Sequence, residues 1–520
     1  MARRAIMTPM SRWCSRQILR ASGIVCAVAL AVTTGAQPAQ AAPEDAATAD
    51  QAPVWTTCDD WVDISRLPTA RCTTISVPVD WRDAANPQAP QAQLAVMRVP
   101  ASGDRLGSII SNPGGPGVSA IDVMSRFAPK VGTTEIGRRF DLVAFDPRGV
   151  GFSTPEVRCE TDAERDEDRT DPQVDFSPAG VARIEDDERA RAQGCLDRVG
   201  APFLAGLSTE NTARDMDAVR AALGDEQLNF FGYSYGTRLG TAYAEQFPDR
   251  VRAMMLDGVV DQFTDPLAEA VESAAGFQQA FDAYAADCAT KPDCPLGNDP
   301  AQFIDRFHQL VDPLVDSPAR TADPRGLSYS DAITGFDEAL YSSEDWAQLT
   351  DGLAALARGE DADDLLELAD EYLERDEDGQ YTNLGDAFDA IRCADDTYPT
   401  DPAVWAEVDR QVRLAAPFES YGEFTGFAPR PICVFWPVQP DALRHPVTSP
   451  GPGKIVVVST TGDPATPYQV GVDVAAQLGA PLITFNGAQH TVAFSGERCI
   501  DTPLEAFFID RVQPPADLHC

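Results

Sequence analysis

Gly232-Tyr233-Ser234-Tyr235-Gly236 follows the apolar run Leu228-Asn229-Phe230-Phe231 and precedes Thr237-Arg238-Leu239-Gly240-Thr241-Ala242-Tyr243-Ala244. The first run reads as a buried strand and the second as a helix, so the pentapeptide sits at a strand-to-helix turn. G-x-S-x-G at such a turn presents a serine hydroxyl on a sharp bend. Glycines flank it because side chains there would clash.

Outward from this turn, other apolar runs end in turn residues. Ser108-Ile109-Ile110 precedes Asn112-Pro113-Gly114-Gly115, and Leu142-Val143-Ala144-Phe145 precedes Asp146-Pro147-Arg148-Gly149. Met254-Met255-Leu256 precedes Asp257-Gly258, and the pattern returns at 455–458 and 482–485. Such runs are the mark of strands buried on both faces, and helical patterns at 211–223 and 237–246 alternate with them. The fold class expected is α/β, a mostly parallel doubly wound sheet. Alternating Ile75, Val77 and Val79 suggest an earlier strand, with Leu94, Val96 and Val99 in its partner. From 265 to 440 helical periodicity dominates, as in Phe277, Phe281 and Tyr284, or Leu349, Leu353 and Leu356. This region reads as a helical cap inserted in the sheet sequence. The expected division is 1–41 export signal, 42–72 leader, 73–264 and 441–520 core, and 265–440 cap.

A serine hydroxyl is a weak nucleophile at neutral pH and needs a base. The chain has four histidines: His308, His445, His490 and His519. In this kind of sheet the order is nucleophile, acid, histidine, with the acid in a loop after a late strand. Asp463 follows the run 455–458 and His490 follows the run 482–485. His308 lies in a cap helix, His445 precedes Asp463, and His519 sits at the terminus beside Cys520. Position and elimination therefore select Ser234, Asp463 and His490. His490 takes the serine proton and Asp463 orients the imidazole. Thr466 is expected to hydrogen-bond the Asp463 loop. Donors for an oxyanion are expected at the amide of Tyr235 and within Asn112-Pro113-Gly114-Gly115-Pro116-Gly117, with Gly115 preferred over Gly114.

The formal net charge of −40 argues against nucleic acid, whose phosphates need clustered Lys and Arg. It serves solubility, and it also favours cationic substrates such as peptides with a free amino terminus. Arg3, Arg4, Arg12, Arg16 and Arg20, the apolar run 23–32 and Ala39-Gln40-Ala41 read as an export signal cleaved near Ala41. The apolar run is too short to span a bilayer, and no later segment reads as transmembrane. Ten cysteines follow the cleavage site: Cys58, Cys72, Cys159, Cys195, Cys288, Cys294, Cys393, Cys433, Cys499 and Cys520. An even number after an export signal argues for disulfides; neighbours in sequence give one pairing, and connectivity stays open. No C-x-x-C pair exists and histidines are few, so a metal site is not expected. Aromatic residues in Cys433-Val434-Phe435-Trp436 read as core, with a pocket lining as the alternative.

Together, Asn-Pro-Gly-Gly-Pro-Gly at 112–117, Phe-Asp-Pro-Arg-Gly-Val-Gly-Phe-Ser at 145–153, Gly-Tyr-Ser-Tyr-Gly at 232–236, Asp-Gly-Val-Val-Asp at 257–261 and the Asp463 and His490 loops resemble the prolyl and tripeptidyl aminopeptidases among the α/β-hydrolases. The match runs from about Thr73 to Cys499, looser in the cap, and is nearest the exported actinobacterial branch. The resemblance implies release of short peptides from a free amino terminus without a cofactor. It also implies the triad Ser234, Asp463 and His490, with Gly115 and Tyr235 as oxyanion donors. Prolyl members usually begin the first motif with His; Asn112 stands there instead and suits the tripeptidyl branch. The expectation is an exported, monomeric aminopeptidase acting on peptides. A carboxylesterase or lipase on short acyl esters, a serine endopeptidase and a catalytically idle surface-binding module are the alternatives.

Overall fold

The computed structural model describes residues 53–440 and 444–520. The export-signal segment and the start of the leader lie outside the described residues. Among the described residues nine strands are found: β1 Arg71–Pro78, β2 Gln91–Val99, β3 Gly107–Asn112, β4 Phe140–Phe145, β5 Leu228–Tyr233, β6 Val251–Asp257, β7 Ile455–Thr460, β8 Leu482–Phe485 and β9 Asp517–His519. They form one sheet in the order β1-β2-β4-β3-β5-β6-β7-β8-β9. β1 pairs antiparallel with β2, and β2 with β4. All remaining pairs are parallel.

Every residue of β3, β4 and β7 is buried. Successive side chains point to opposite faces, so adjacent apolar residues feed different layers. Ile110, Val143, Phe230, Met254 and Val457 pack into one layer. Ile109, Leu142, Phe231, Met255 and Val456 pack into the other. This explains why these strands read as continuous apolar runs rather than as alternation.

Between β6 and β7 the chain makes a run of helices from Pro266–Cys288 to Pro402–Ala415. They carry a third core, in which the rings of Phe281, Phe307, Phe336 and Phe418 meet with centroids 4.6–5.9 Å apart. Residues 162–204, between β4 and β5, contain the helices Asp162–Asp168, Pro178–Val199 and Ala201–Leu204 and pair with this insertion. Glu185 binds the Arg430 guanidinium through both carboxylate oxygens, and Arg169 and Asp331 form a buried ion pair. Trp436 is buried in the sheet core, and the Arg189 and Arg430 guanidiniums lie over the Phe435 ring. The 433–436 aromatics are thus packing residues.

Among the described residues five disulfides join Cys58–Cys72, Cys159–Cys195, Cys288–Cys294, Cys393–Cys433 and Cys499–Cys520. These are the pairs that neighbours in sequence give. Among the described residues no helix is long and apolar enough to cross a membrane.

Candidate active site

β5 ends at Tyr233 and the helix Tyr235–Gln246 begins two residues later. Ser234, between them, has φ 52° and ψ −128°. A positive φ at a non-glycine residue is a strained conformation that persists only when its surroundings enforce it. Close backbone packing enforces it here. A Cβ at Gly236 would lie 2.5 Å from the Asn112 carbonyl oxygen, and one at Gly232 would lie 2.7 Å from that of Gly236. Both glycines are therefore steric necessities of the turn.

The loop after β3 lies directly over this turn. Gly114 has φ 110°, and a Cβ there would come within 2.7 Å of Ser234 Cβ and 3.1 Å of the Tyr235 nitrogen. The Gly114 N–H donates to Asn112 Oδ1 at 3.1 Å, so Asn112 shapes the loop from below. That occupies the Gly114 N–H. Tyr235 is the first residue of its helix, so its N–H has no partner within the helix. Asp146 braces the same region. Its carboxylate accepts from the Ser119 hydroxyl and from the amides of Ile121 and Phe152. Arg148, in the same motif, forms a fully buried bidentate pair with Asp215, which also accepts from Trp81 Nε1.

Asp463 lies in the loop after β7 and is buried. His490 Nδ1 lies 2.9 and 3.0 Å from its two oxygens. A carboxylate only accepts, so Nδ1 donates and Nε2 keeps its lone pair. Asp463 also accepts from the amides of Ala465 and Thr466, and the Thr466 hydroxyl donates to Oδ2 at 2.9 Å. Thr466 thus fixes the carboxylate by side chain and main chain. Burial pulls the His490 pKa down. The charge and hydrogen bond of Asp463 and the charge of Asp257 outweigh burial and leave it raised above 6.5.

The helical insertion between β6 and β7 reaches the same histidine. The His490 N–H donates to the Tyr341 carbonyl at 2.8 Å, and the Tyr341 ring meets the imidazole edge-on, centroids 5.4 Å apart. The other histidines are placed elsewhere. His308 bonds Asp312 and the Pro417 carbonyl within the helical insertion, while His445 and His519 are exposed. Among the described residues no cluster of three or more His, Cys, Asp or Glu side chains could hold a metal ion.

Sequence reasoning passed over Tyr341, Asp146 and Asp257. Tyr341 carried no sequence signal. Asp146 and Asp257 stand at strand ends within quoted motifs, where an aspartate reads equally well as a turn residue.

Residues 107–497 match the family described as having the alpha/beta hydrolase fold. Carboxylesterase B of Mycobacterium tuberculosis is 54% identical over 90% of this chain and 89% of its own length. Serine protease Hip1 of the same species is 50% identical, covering 90% of each chain. The tripeptidyl aminopeptidase of Streptomyces coelicolor is 30% identical over 89% of this chain and 85% of its own. With a mostly parallel sheet, a serine elbow after β5 and a late Asp–His pair, the chain belongs to the α/β-hydrolase family.

Proposed function

We propose that this hydrolase is an exported aminopeptidase that releases tripeptides or similar short units from free peptide amino termini. The observation that carries the chemistry is the Asp463–His490 hydrogen bond, made in the same layer of loops as the strained Ser234. In this reading His490 Nε2 removes the hydroxyl proton as Ser234 Oγ attacks the scissile carbonyl carbon. The amides of Gly115 and Tyr235 receive the oxyanion, each donor worth about 3–4 kcal/mol. The imidazolium, held by Asp463, then protonates the leaving amine. Water, activated by the same histidine, releases the acyl group.

A free amino terminus is favoured by acidic groups beside Tyr341. Asp337 and Glu338 lie one turn earlier in the chain, and Glu419 and Glu371 share their surroundings. Burial, reinforced by Glu371 and Asp345, pushes the Glu338 carboxyl up to about 7. An ammonium group there would compensate carboxyls for which no Arg or Lys ion pair is found among the described residues. Export is supported by the five disulfides, which persist in oxidising compartments.

The same groups hydrolyse esters, and a relative at 54% identity bears the name carboxylesterase. The deciding test is the rate on a tripeptide anilide with a free amino terminus against its N-acetylated twin. The free amine should be strongly preferred. Equal cleavage supports an endopeptidase, and cleavage of a short-chain p-nitrophenyl ester with neither anilide touched supports an esterase.

A further inference from the structure

Asp257 is the last residue of β6 and is fully buried. It is register-paired with Tyr233, and its main-chain carbonyl accepts the Ser234 N–H at 2.9 Å. Its side chain turns to another part of the site. Oδ2 accepts from the amides of Val492 and Ala493, both at 2.7 Å. Those amides sit just after His490, across a turn in which Thr491 has φ 60°. A β-branched residue in the left-handed region costs about 1–3 kcal/mol and holds only where the surroundings dictate it. The two short bonds to Asp257, with the Gln489 side chain donating to the Thr491 carbonyl at 2.7 Å, supply that constraint. The other oxygen, Oδ1, is buried and has no hydrogen-bond partner among the described residues.

We propose that Asp257 is a positioning residue that locks the serine turn and the histidine loop into one frame, through its carbonyl on one side and its carboxylate on the other. This rests on the reading of Ser234 as nucleophile and His490 as base. A packing role alone does not require a carboxylate. Two amides on one oxygen could be served by any acceptor, and the second oxygen gains nothing in hydrogen bonding. What the carboxylate adds is a second negative charge, after that of Asp463, that acts on the His490 imidazolium. The titratable groups around it are His490 and Asp463 from the loops and Tyr233 from β5. Burial raises its own carboxyl to about 6, opposed by the two amides, and its charge in turn helps to raise His490.

The test uses p-nitrophenyl acetate hydrolysis by the full chain, with kcat, KM and the pH dependence of kcat/KM for wild type, Asp257→Asn, Asp257→Ala and Ser234→Ala. Asp257→Ala frees the histidine loop and should lower kcat about 100-fold with little change in KM, as a misplacement of about 1 Å does. Asp257→Asn keeps the acceptor for both amides and should recover activity to within about tenfold of wild type. Because Asn lacks the charge, its acid limb should move to lower pH. An Asn variant whose acid limb stays at the wild-type position overturns the proposal, even if the Ala variant fails to fold. So does an Ala variant with wild-type kcat. An inactive Ser234→Ala beside unaffected Asp257 variants removes this proposal alone. A Ser234→Ala as active as wild type removes the nucleophile reading beneath it.

Discussion

The Tyr341 carbonyl accepts the main-chain N–H of His490 at 2.8 Å, so the residue that follows the helix Tyr329–Leu340 of the insertion is bonded to the histidine loop of the sheet. Its ring adds an edge-on contact to the imidazole and in turn meets Phe277 and Tyr372, with centroids 5.6 and 6.2 Å away. The position of this helix and the orientation of the imidazole are thereby linked. Tyr341→Ala keeps the carbonyl and removes the ring. It should lower kcat/KM about tenfold, while Tyr341→Phe stays within about threefold, in line with the modest worth of an aromatic contact. Steady-state kinetics on an ester and a peptide substrate check this. An Ala variant with wild-type kinetics on both shows that the ring is dispensable.

Thr466 donates its hydroxyl to Asp463 Oδ2, while its amide donates to Oδ1. Thr466→Val removes the first, together with the hydroxyl's 3.4 Å contact to His490 Nδ1, and keeps the second. One hydrogen bond of about 1 kcal/mol corresponds to a roughly fivefold loss, expected in kcat with KM unchanged. Unchanged turnover assigns the hydroxyl no part in fixing the carboxylate.

Activity should fall on acidification with a midpoint above 6.5, because His490 must be neutral to act as base and its pKa is raised. Stability should move the other way over much of that range. Burial raises Asp146, Glu338 and Glu419 to about 7, and Glu160 to about 8. A carboxyl whose pKa is higher folded than unfolded stabilises the fold below its unfolded pKa, and that contribution is lost as pH rises through the folded value. His490 has the same sign. Glu185 and Asp323 are depressed, chiefly by side-chain bonds to Arg430 and Arg325, so their contribution disappears on acidification below about pH 4. The Tm should therefore rise from about pH 8 to about pH 5 and fall again below about pH 4. Calorimetry across that range tests this, and a Tm that declines steadily from pH 8 to 5 contradicts it.

Arg148 and Asp215 are buried together, and the Arg148 guanidinium donates to both Asp215 carboxylate oxygens. Arg148→Met strands the carboxylate and should cost about 3–5 kcal/mol. Arg148→Met with Asp215→Leu should recover most of it. Urea midpoints of the three chains decide, and a single variant as stable as wild type refutes the assignment.

Much of this molecule could be read from its sequence because the decisive features are local. The serine turn is fixed by two glycines that leave no room for a Cβ, and such a requirement is written within five residues. Asp463 and His490 stand out through chain order and the scarcity of histidine. The five disulfides join cysteines that are neighbours in sequence. What stayed hidden depends on tertiary contact. Tyr341 meets His490 across about 150 residues of chain. The ion pairs of residues 162–204 with the helical insertion draw on 81 acidic and 41 basic side chains that sequence cannot match up. β9 has three residues, too few for any periodicity to show.

The most direct test of the proposed chemistry is labelling of the full chain with a fluorophosphonate, followed by peptide mass spectrometry. The adduct should fall on Ser234, vanish in Ser234→Ala, and form far more slowly in His490→Ala. An adduct on another serine, or labelling of His490→Ala at the wild-type rate, would contradict the assignment of Ser234 as the nucleophile activated by His490.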